Sequence, residues 1–137
     1  MSNNTLFVLV DDDLLNHIIS IATIKKTLNY PRIKDFIDPE AGVDFIKKLN
    51  PSKSLKVIVL LDINMPVMAG WDVLNELEKL DAKIKKQIQV FVLSSSVYQE
   101  DKARANSYNL VTGYIEKPLN AAKFEALLTK AKLPQYI

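Results

Sequence analysis

The sequence predicts an α/β protein in which a parallel sheet of five strands carries helices on both faces. Three observations predict this class: short apolar runs without polar alternation, segments of helical period between them, and five repeats of the strand and helix pair. Short connections between such pairs favour right-handed crossovers within one sheet. The 137 residues, of which 48% are hydrophobic, suffice for one sizeable core and therefore predict one domain.

The five predicted strands differ in polarity. Residues 6–10, 57–61 and 90–93 are mostly β-branched, aromatic or leucine, as expected of strands that are buried on both faces. These three runs therefore predict the centre of the sheet. Residues 33–37 are more polar and residues 114–115 form a very short run, so both predict strands nearer the edges.

Helices are predicted between the strands from apolar residues at helical spacing. Asp38 followed by Pro39 predicts the start of the second helix, because the aspartate accepts an orphan N–H and proline has none to lose. Residues 97–109 combine alanines with several charges, so their helix is expected to pack loosely and to move. The other helices are expected to bury Leu14, Leu15, Ile18, Ile19 and Ala22; Val43, Ile46 and Leu49; Trp71, Leu74 and Leu77; and Phe124, Leu127, Leu128 and Ala131.

Composition excludes several classes of function. The chain has no cysteine, which excludes disulfides, thiolate metal sites and thiol catalysis. Its first residues lack the pattern of a signal peptide, and no apolar stretch approaches the roughly 18 residues of a membrane span, so we expect a cytoplasmic protein without membrane contact. The net charge is only +2, with lysines scattered among acids, and no nucleic-acid partner is expected.

Four predicted strands end in polar residues. In open parallel sheets, sites form beyond the carboxyl ends of the strands, where the strand order reverses. If the first and third strands are neighbours, their terminal carboxylates crowd together and raise one another's pKa unless a cation intervenes. The polar residues at these ends are Asp11, Asp12 and Asp13; Asp62; Ser94, Ser95 and Ser96; and Glu116 and Lys117.

The residue types at this edge indicate phosphoryl chemistry with a metal ion. Carboxylate oxygens suit Mg²⁺, which binds through one or two carboxylates together with phosphate oxygens. A carboxylate such as that of Asp62 can also act as a nucleophile and take a phosphoryl group. Mg²⁺, Lys117 and the Ser94 hydroxyl would then share the phosphoryl oxygens.

Four motifs at these positions resemble the receiver domains of two-component response regulators, the CheY-like family. The motifs VDDD, LLDINMPVMAGW, VLSSS and GYIEKPL occur in the order and at the spacings of that family, over nearly the whole chain. The resemblance implies a doubly wound, flavodoxin-like (βα)5 fold with strand order 2-1-3-4-5. It places a receiver domain at residues 6–133, between an N-terminal extension at 1–5 and a tail at 134–137.

The resemblance also implies a role for each polar residue at the sheet edge. Family members usually have a cis peptide bond at the position of Lys117 and Pro118. Asp13 extends the acidic pair and is assigned to the start of the first helix, where its charge meets the helix dipole. The implied catalytic residues are Asp62, Lys117 and Ser94; the metal ligands Asp11, Asp12, Asp62 and the backbone carbonyl of Asn64; the switch residues Ser94 and Tyr114; and the lifetime-tuning residues Asn64 and Ser96.

The function implied by the resemblance is that of a phosphorylated signalling module. A histidine kinase or a histidine phosphotransfer protein would donate the phosphoryl group to Asp62, and the surface that binds an unknown downstream protein would change. Two alternatives stay open: a phosphotransfer intermediary or phosphate sink without its own output, and a phosphatase of the haloacid dehalogenase type. The D-x-D motif of that phosphatase needs a second acid where this chain has Asn64.

Two further residues near the predicted site, His17 and Trp71, are not expected to take part in its chemistry. His17 is the only histidine, and its position in the first helix beside Asn16 predicts a surface or boundary residue. Trp71, at the start of the third helix, is expected to pack in the core or at its rim.

Overall fold

The computed structural model describes residues 4–51, 54–65, 68–95 and 98–133. In this part of the chain, five strands form one parallel sheet of order β2-β1-β3-β4-β5. The predicted fold class and strand order are confirmed, and the two more polar segments lie at the edges as expected. The strands are β1 (Thr5–Val10), β2 (Arg32–Phe36), β3 (Lys56–Asp62), β4 (Ile88–Ser94) and β5 (Val111–Glu116).

Six helices connect or follow these strands within the described residues. Asp38 starts α2 as predicted, because its side chain accepts the N–H of Glu40 at 3.0 Å. The short α4, capped by Asp81, was not predicted. None of the helices described is long and apolar enough to cross a bilayer. Their bounds are α1 (Leu14–Thr27), α2 (Pro39–Lys47), α3 (Gly70–Glu78), α4 (Ala82–Lys85), α5 (Gln99–Asn106) and α6 (Ala121–Lys130).

The hydrophobic core forms one layer on each face of the sheet. One layer packs α2, α3 and the single buried residue of α5 against the sheet, and the other packs α1 and α6. Alternate side chains of β3 enter opposite layers, with Val57 and Val59 in the first and Ile58 in the second. This two-sided burial explains why the central strands show no polar alternation.

The apolar stripe predicted for α1 is wrong. Leu14, Leu15 and Ile18 are 60%, 66% and 57% exposed. The helix instead buries His17 and Ser20 at its start, together with Ile24 nearer its end. His17 is 4% exposed, so its predicted position at the surface or boundary is also wrong. The physical reason is that both ring nitrogens of this histidine lie within bonding distance of oxygen atoms, which allows a polar ring to face the core.

Helix α5 packs loosely, as predicted. Ala105 is its only buried residue. The guanidinium of Arg104 lies over the ring of Trp71, with 4.3 Å between Cζ and the ring centroid. The Trp71 ring is half-buried at the rim of the core, as expected, and stacks on Tyr108 with centroids 6.2 Å apart. A surface contact of Arg104 with α3 therefore adds to the single buried contact of this helix.

Candidate functional site

The turn between β1 and α1 places two carboxylates at the edge of the sheet. Asp11 is fully buried, and its backbone N–H donates to the carbonyl of Phe36 at 3.1 Å. Its Oδ1 accepts the backbone N–H of Asp13 at 2.9 Å. The Asp13 side chain in turn caps α1 by accepting two backbone N–H groups, which confirms its assignment to the helix start. The turn is thus held by hydrogen bonds to both strand and helix.

A third carboxylate comes from the neighbouring strand. Strands β1 and β3 pair in parallel, with Val10 opposite Leu61, so their terminal acids emerge side by side. Asp62 is 2% exposed. Carboxylate oxygens of Asp11, Asp12 and Asp62 all lie within 4.8 Å of one another. The expected crowding of acids at this edge is therefore present in the structure.

The fifth strand delivers a lysine to these acids. The Nζ atom of Lys117 lies 3.2 Å from Oδ2 of Asp11 and 3.3 Å from Oδ1 of Asp62. The lysine side chain is 11% exposed, and its backbone N–H donates to the carbonyl of Ser94 at 2.9 Å. The peptide bond between Lys117 and Pro118 is cis, as the family resemblance implies.

The electrostatics of the cluster favour an additional positive charge. Burial raises the pKa of Asp11 to about 6; the negative charge of Asp62 acts in the same direction, whereas the N–H of Asp13 and the charge of Lys117 oppose it. The pKa of Asp12 is also raised, first by burial and then by the charge of Asp62. One ammonium therefore does not compensate three carboxylates at this edge.

The oxygen atoms present at this edge fit Mg²⁺. The buried Oδ2 of Asp11 meets Lys117 as an ion pair, but in an orientation that makes no hydrogen bond. It therefore keeps capacity to bind a cation. Several carboxylate oxygens within one small volume are the ligands that this hard cation prefers.

Two further residues link this cluster to the fourth strand. The backbone N–H of Asn64 donates to Oδ1 of Asp62 at 3.0 Å. Its side-chain amide donates to the hydroxyl of Ser94 at 3.2 Å, and Ser94 is fully buried. Sequence reasoning missed this side-chain contact, because 30 positions separate the two residues and no local pattern joins them.

Tyr114 lies on β5 at the side of the sheet that faces α5. It pairs with Val92, its ring is half-buried, and the ammonium of Lys102 lies 5.9 Å from the ring centroid. On the opposite face of the sheet, a groove of about 280 Å³ lies between β5 and α6 and is lined by Gly113 and Ile115 of the strand. Ser96, predicted to tune the phosphoryl lifetime, and Pro66 of the loop after Asp62 lie outside the described residues.

His17 is a residue beside the acids that sequence reasoning placed wrongly. Its ring contacts the backbone oxygen of Asp11 and the carboxylate of Asp35. A signal was present in the sequence, since the buried positions His17, Ser20 and Ile24 also follow a helical spacing. The more apolar stripe on the opposite face obscured it.

Comparisons with known proteins agree on one family. The family model described as response regulator receiver domain matches residues 7–129. A two-component response regulator from Cytophaga hutchinsonii superposes with a TM-score of 0.83 at 26% identity, over 95% of this chain and 98% of that one. The "Probable methanogenesis regulatory protein FilR2" of Methanothrix harundinacea is 28% identical over 116 residues, which span 84% of this chain and 73% of that protein.

A more distant structure shares the fold alone. The chemotaxis protein CheY4 of Vibrio cholerae superposes with a TM-score of 0.73 at 18% identity, over 92% of this chain and 97% of that one. The family model covers most of the chain, and the sheet order and the acidic sheet edge agree with it. The chain therefore belongs to the response regulator receiver domains of two-component signalling.

Proposed function

We propose that Asp62 accepts a phosphoryl group in a Mg²⁺-dependent reaction and that the phosphorylated form binds a downstream protein through an altered surface. The phosphodonor is a histidine kinase or a histidine phosphotransfer protein. The observation that carries this proposal is the position of the Lys117 ammonium, 3.2 Å from Asp11 and 3.3 Å from Asp62, in a cluster of three carboxylates. Such a cluster can hold both a divalent cation and the charge of an acyl phosphate.

The metal ligands in this proposal come from two adjacent strand ends. Asp11, Asp12 and Asp62 supply carboxylate oxygens, and Asn64 supplies its backbone carbonyl. When bound, Mg²⁺ neutralises charge on the phosphoryl oxygens. The raised pKa values of Asp11 and Asp12 support this assignment, because burial, with the charge of Asp62 in second place, disfavours the ionised carboxylates and a bound cation would favour them.

The transfer step uses the carboxylate of Asp62 as nucleophile. One oxygen attacks the phosphorus of a phosphohistidine, an O–P bond forms, and the P–N bond breaks. The electron pair of the broken bond returns to the imidazole nitrogen, which then takes up a proton. The N–H of Asn64 orients the carboxylate by donating to Oδ1, while the Lys117 ammonium and the Ser94 hydroxyl donate to the phosphoryl oxygens.

A protein phosphodonor needs a docking surface beside the acids. Leu14, Leu15 and Ile18 are exposed on the first turns of α1, directly after the acidic turn. Neighbouring exposed apolar side chains of this kind indicate protein contact. This face of α1 supports a donor that is itself a protein and that presents its histidine next to Asp62.

The proposed output begins at Ser94. The Ser94 hydroxyl turns from Asn64 toward the phosphoryl group, and Tyr114 moves into the space that this change opens. Because α5 buries only Ala105, little apolar contact opposes its repacking. The Tyr114 ring faces α5, so its movement changes the surface formed by β5 and α5.

The proposal is tested by incubating the protein with acetyl phosphate and Mg²⁺ and locating the label by mass spectrometry. We expect one phosphoryl group on the peptide that contains Asp62, none after chelation of Mg²⁺, and none in Asp62→Asn. An unmodified wild type, or the same label in Asp62→Asn, would contradict the proposal.

Two further measurements separate the alternatives. If partner binding is the same with and without phosphorylation, the chain is a phosphotransfer intermediary or a phosphate sink rather than an output module. Steady, Asp62-dependent hydrolysis of a phosphomonoester would instead indicate a phosphatase. The presence of Asn64, which lacks the acid that such a phosphatase uses, leads us to expect no such turnover.

A further inference from the structure

His17 is a buried polar residue that the proposed transfer step does not use. Its side chain is 5% exposed, although apolar neighbours on the same helix turns face solvent. Burying an imidazole is costly unless its nitrogen atoms have hydrogen-bond partners. The place of this ring in the core therefore depends on the groups that it contacts.

Both ring nitrogens of His17 face oxygen atoms. Nδ1 lies 3.2 Å from the backbone oxygen of Asp11. A carbonyl oxygen only accepts hydrogen bonds, so Nδ1 carries a hydrogen and donates it. Nε2 lies 2.6 Å from Oδ2 of Asp35, whose side chain is 47% exposed. The ring thus bridges the acidic turn and the outer strand β2.

Strand β2 also binds the backbone N–H of Asp11. The N–H of Asp11 donates to the carbonyl of Phe36, the residue next to Asp35. Phe36 therefore binds the N–H of Asp11 directly. The preceding residue, Asp35, reaches the carbonyl of Asp11 through the His17 ring. That carbonyl belongs to the peptide that joins Asp11 to Asp12. Its direction therefore determines the position of the Asp12 backbone, from which the second carboxylate extends.

We propose that His17 is a positioning residue for the metal site. Its donation to the Asp11 carbonyl fixes the peptide between Asp11 and Asp12 so that both carboxylates face Asp62. The inference rests on the proposed function, because it takes these carboxylates as Mg²⁺ ligands. Hydrogen bonds behind metal ligands commonly orient them, and their loss commonly weakens metal binding.

A pair of variants separates the two contacts of the ring. In His17→Asn the amide nitrogen can occupy the place of Nδ1, which keeps the donor to Asp11 and loses the contact with Asp35. In His17→Gln the amide reaches the place of Nε2, which keeps the contact with Asp35 and loses the donor to Asp11. Asp35→Asn serves as the matched control, since it keeps an acceptor oxygen without the charge.

The measurement is the Mg²⁺ dissociation constant by isothermal titration calorimetry, with the thermal midpoint of each variant recorded beside it. We expect His17→Gln to bind Mg²⁺ about tenfold more weakly, whereas His17→Asn and Asp35→Asn stay close to the wild type. The amide resonances of Asp12 and Asp13 in metal-free protein should shift in His17→Gln and not in His17→Asn.

The outcomes distinguish this inference from the proposed function. If the wild type binds no Mg²⁺, the proposed function fails. If the wild type binds Mg²⁺ and His17→Gln binds it equally well, the positioning role alone is overturned. It is also overturned if affinity follows the thermal midpoint across all three variants, because the ring would then serve only stability.

Discussion

The two sides of Asp62 are held in different ways. On one side, the buried Asp11 ties the acidic turn to β2, and Asp13 ties it to α1 through exposed hydrogen bonds that cap the helix. On the other side, α5 buries only Ala105 and meets α3 through the exposed contact of Arg104 with Trp71. The acidic turn is held by several hydrogen bonds, whereas α5 makes few buried apolar contacts.

This difference fits the proposed function, in which the acidic turn binds Mg²⁺ and α5 repacks after phosphorylation of Asp62. A site that must hold a cation benefits from ligands that are already in place, because ordering them costs free energy at the moment of binding. A segment that must respond is more easily repacked when its local stability is low. The acidic turn meets the first need, and α5 meets the second.

The change with the largest expected effect adds a methyl group where α3 meets the end of β3. A Cβ atom on Gly70 would clash with Cα of Ile63 and lie 2.7 Å from the carbonyl oxygen of Asp62, both backbone atoms. We expect Gly70→Ala to lower the free energy of unfolding by about 1–3 kcal/mol, measured by urea denaturation, because the strand end must shift.

The matched control for that substitution lies on β5. In Gly113→Ala the new atom would meet the ring edge of Phe91 at 2.9 Å, and a ring can tilt more easily than a backbone can move. We expect a smaller loss of stability and unchanged Mg²⁺ binding. Equal losses for the two variants would show that the backbone near Asp62 is no more tightly fitted than β5.

The second prediction concerns pH and tests the acidic side. Folding raises the pKa of Asp11 from 3.8 to about 6, so between these values the folded chain holds more protons than the unfolded one. The contribution of Asp11 to stability therefore falls as the pH rises through this window.

Protons and Mg²⁺ compete for the same oxygens, and we expect the Mg²⁺ affinity to fall about tenfold per pH unit below about pH 6.

Calorimetric titrations with Mg²⁺ at several pH values check this prediction. The raised pKa of Asp12 acts in the same direction and can only steepen the dependence. An affinity that stays constant between about pH 7 and about pH 5 would mean that protons do not compete at these carboxylates.

The smallest expected effect is on the α5 side. Arg104→Ala removes the guanidinium over Trp71, and we expect a loss of only about 0.5–1 kcal/mol in the free energy of unfolding, because the contact is exposed. The emission of Trp71, the only tryptophan, should change, while the Mg²⁺ affinity should not. Lys25→Ala on α1 is the control for loss of an exposed helical cation. A weakened metal site in Arg104→Ala would show that the two regions are coupled without phosphorylation.

The residues at the strand ends were predictable, whereas several contacts among them were not. Asp62 follows an apolar run in the sequence, and the strand neighbours bring Asp11 beside it. The hydrogen bond from Asn64 to Ser94 has no such signal, because it depends on side-chain orientation between the loop after β3 and the end of β4. The short helix α4 was missed because a single turn has no apolar period to detect.

The amino-acid sequence by itself determined the alternation of strands and helices, the buried centre of the sheet and the acids at its edge, because these follow from local apolar periodicity. Only the tertiary structure decided which face of α1 is buried. The predicted apolar stripe that begins at Leu14 is exposed at its start, and the face that carries His17 is buried instead. The partners of His17 come from the turn after β1 (Asp11) and from β2 (Asp35). Hydrogen bonds between distant segments depend on burial and geometry, which no local pattern contains.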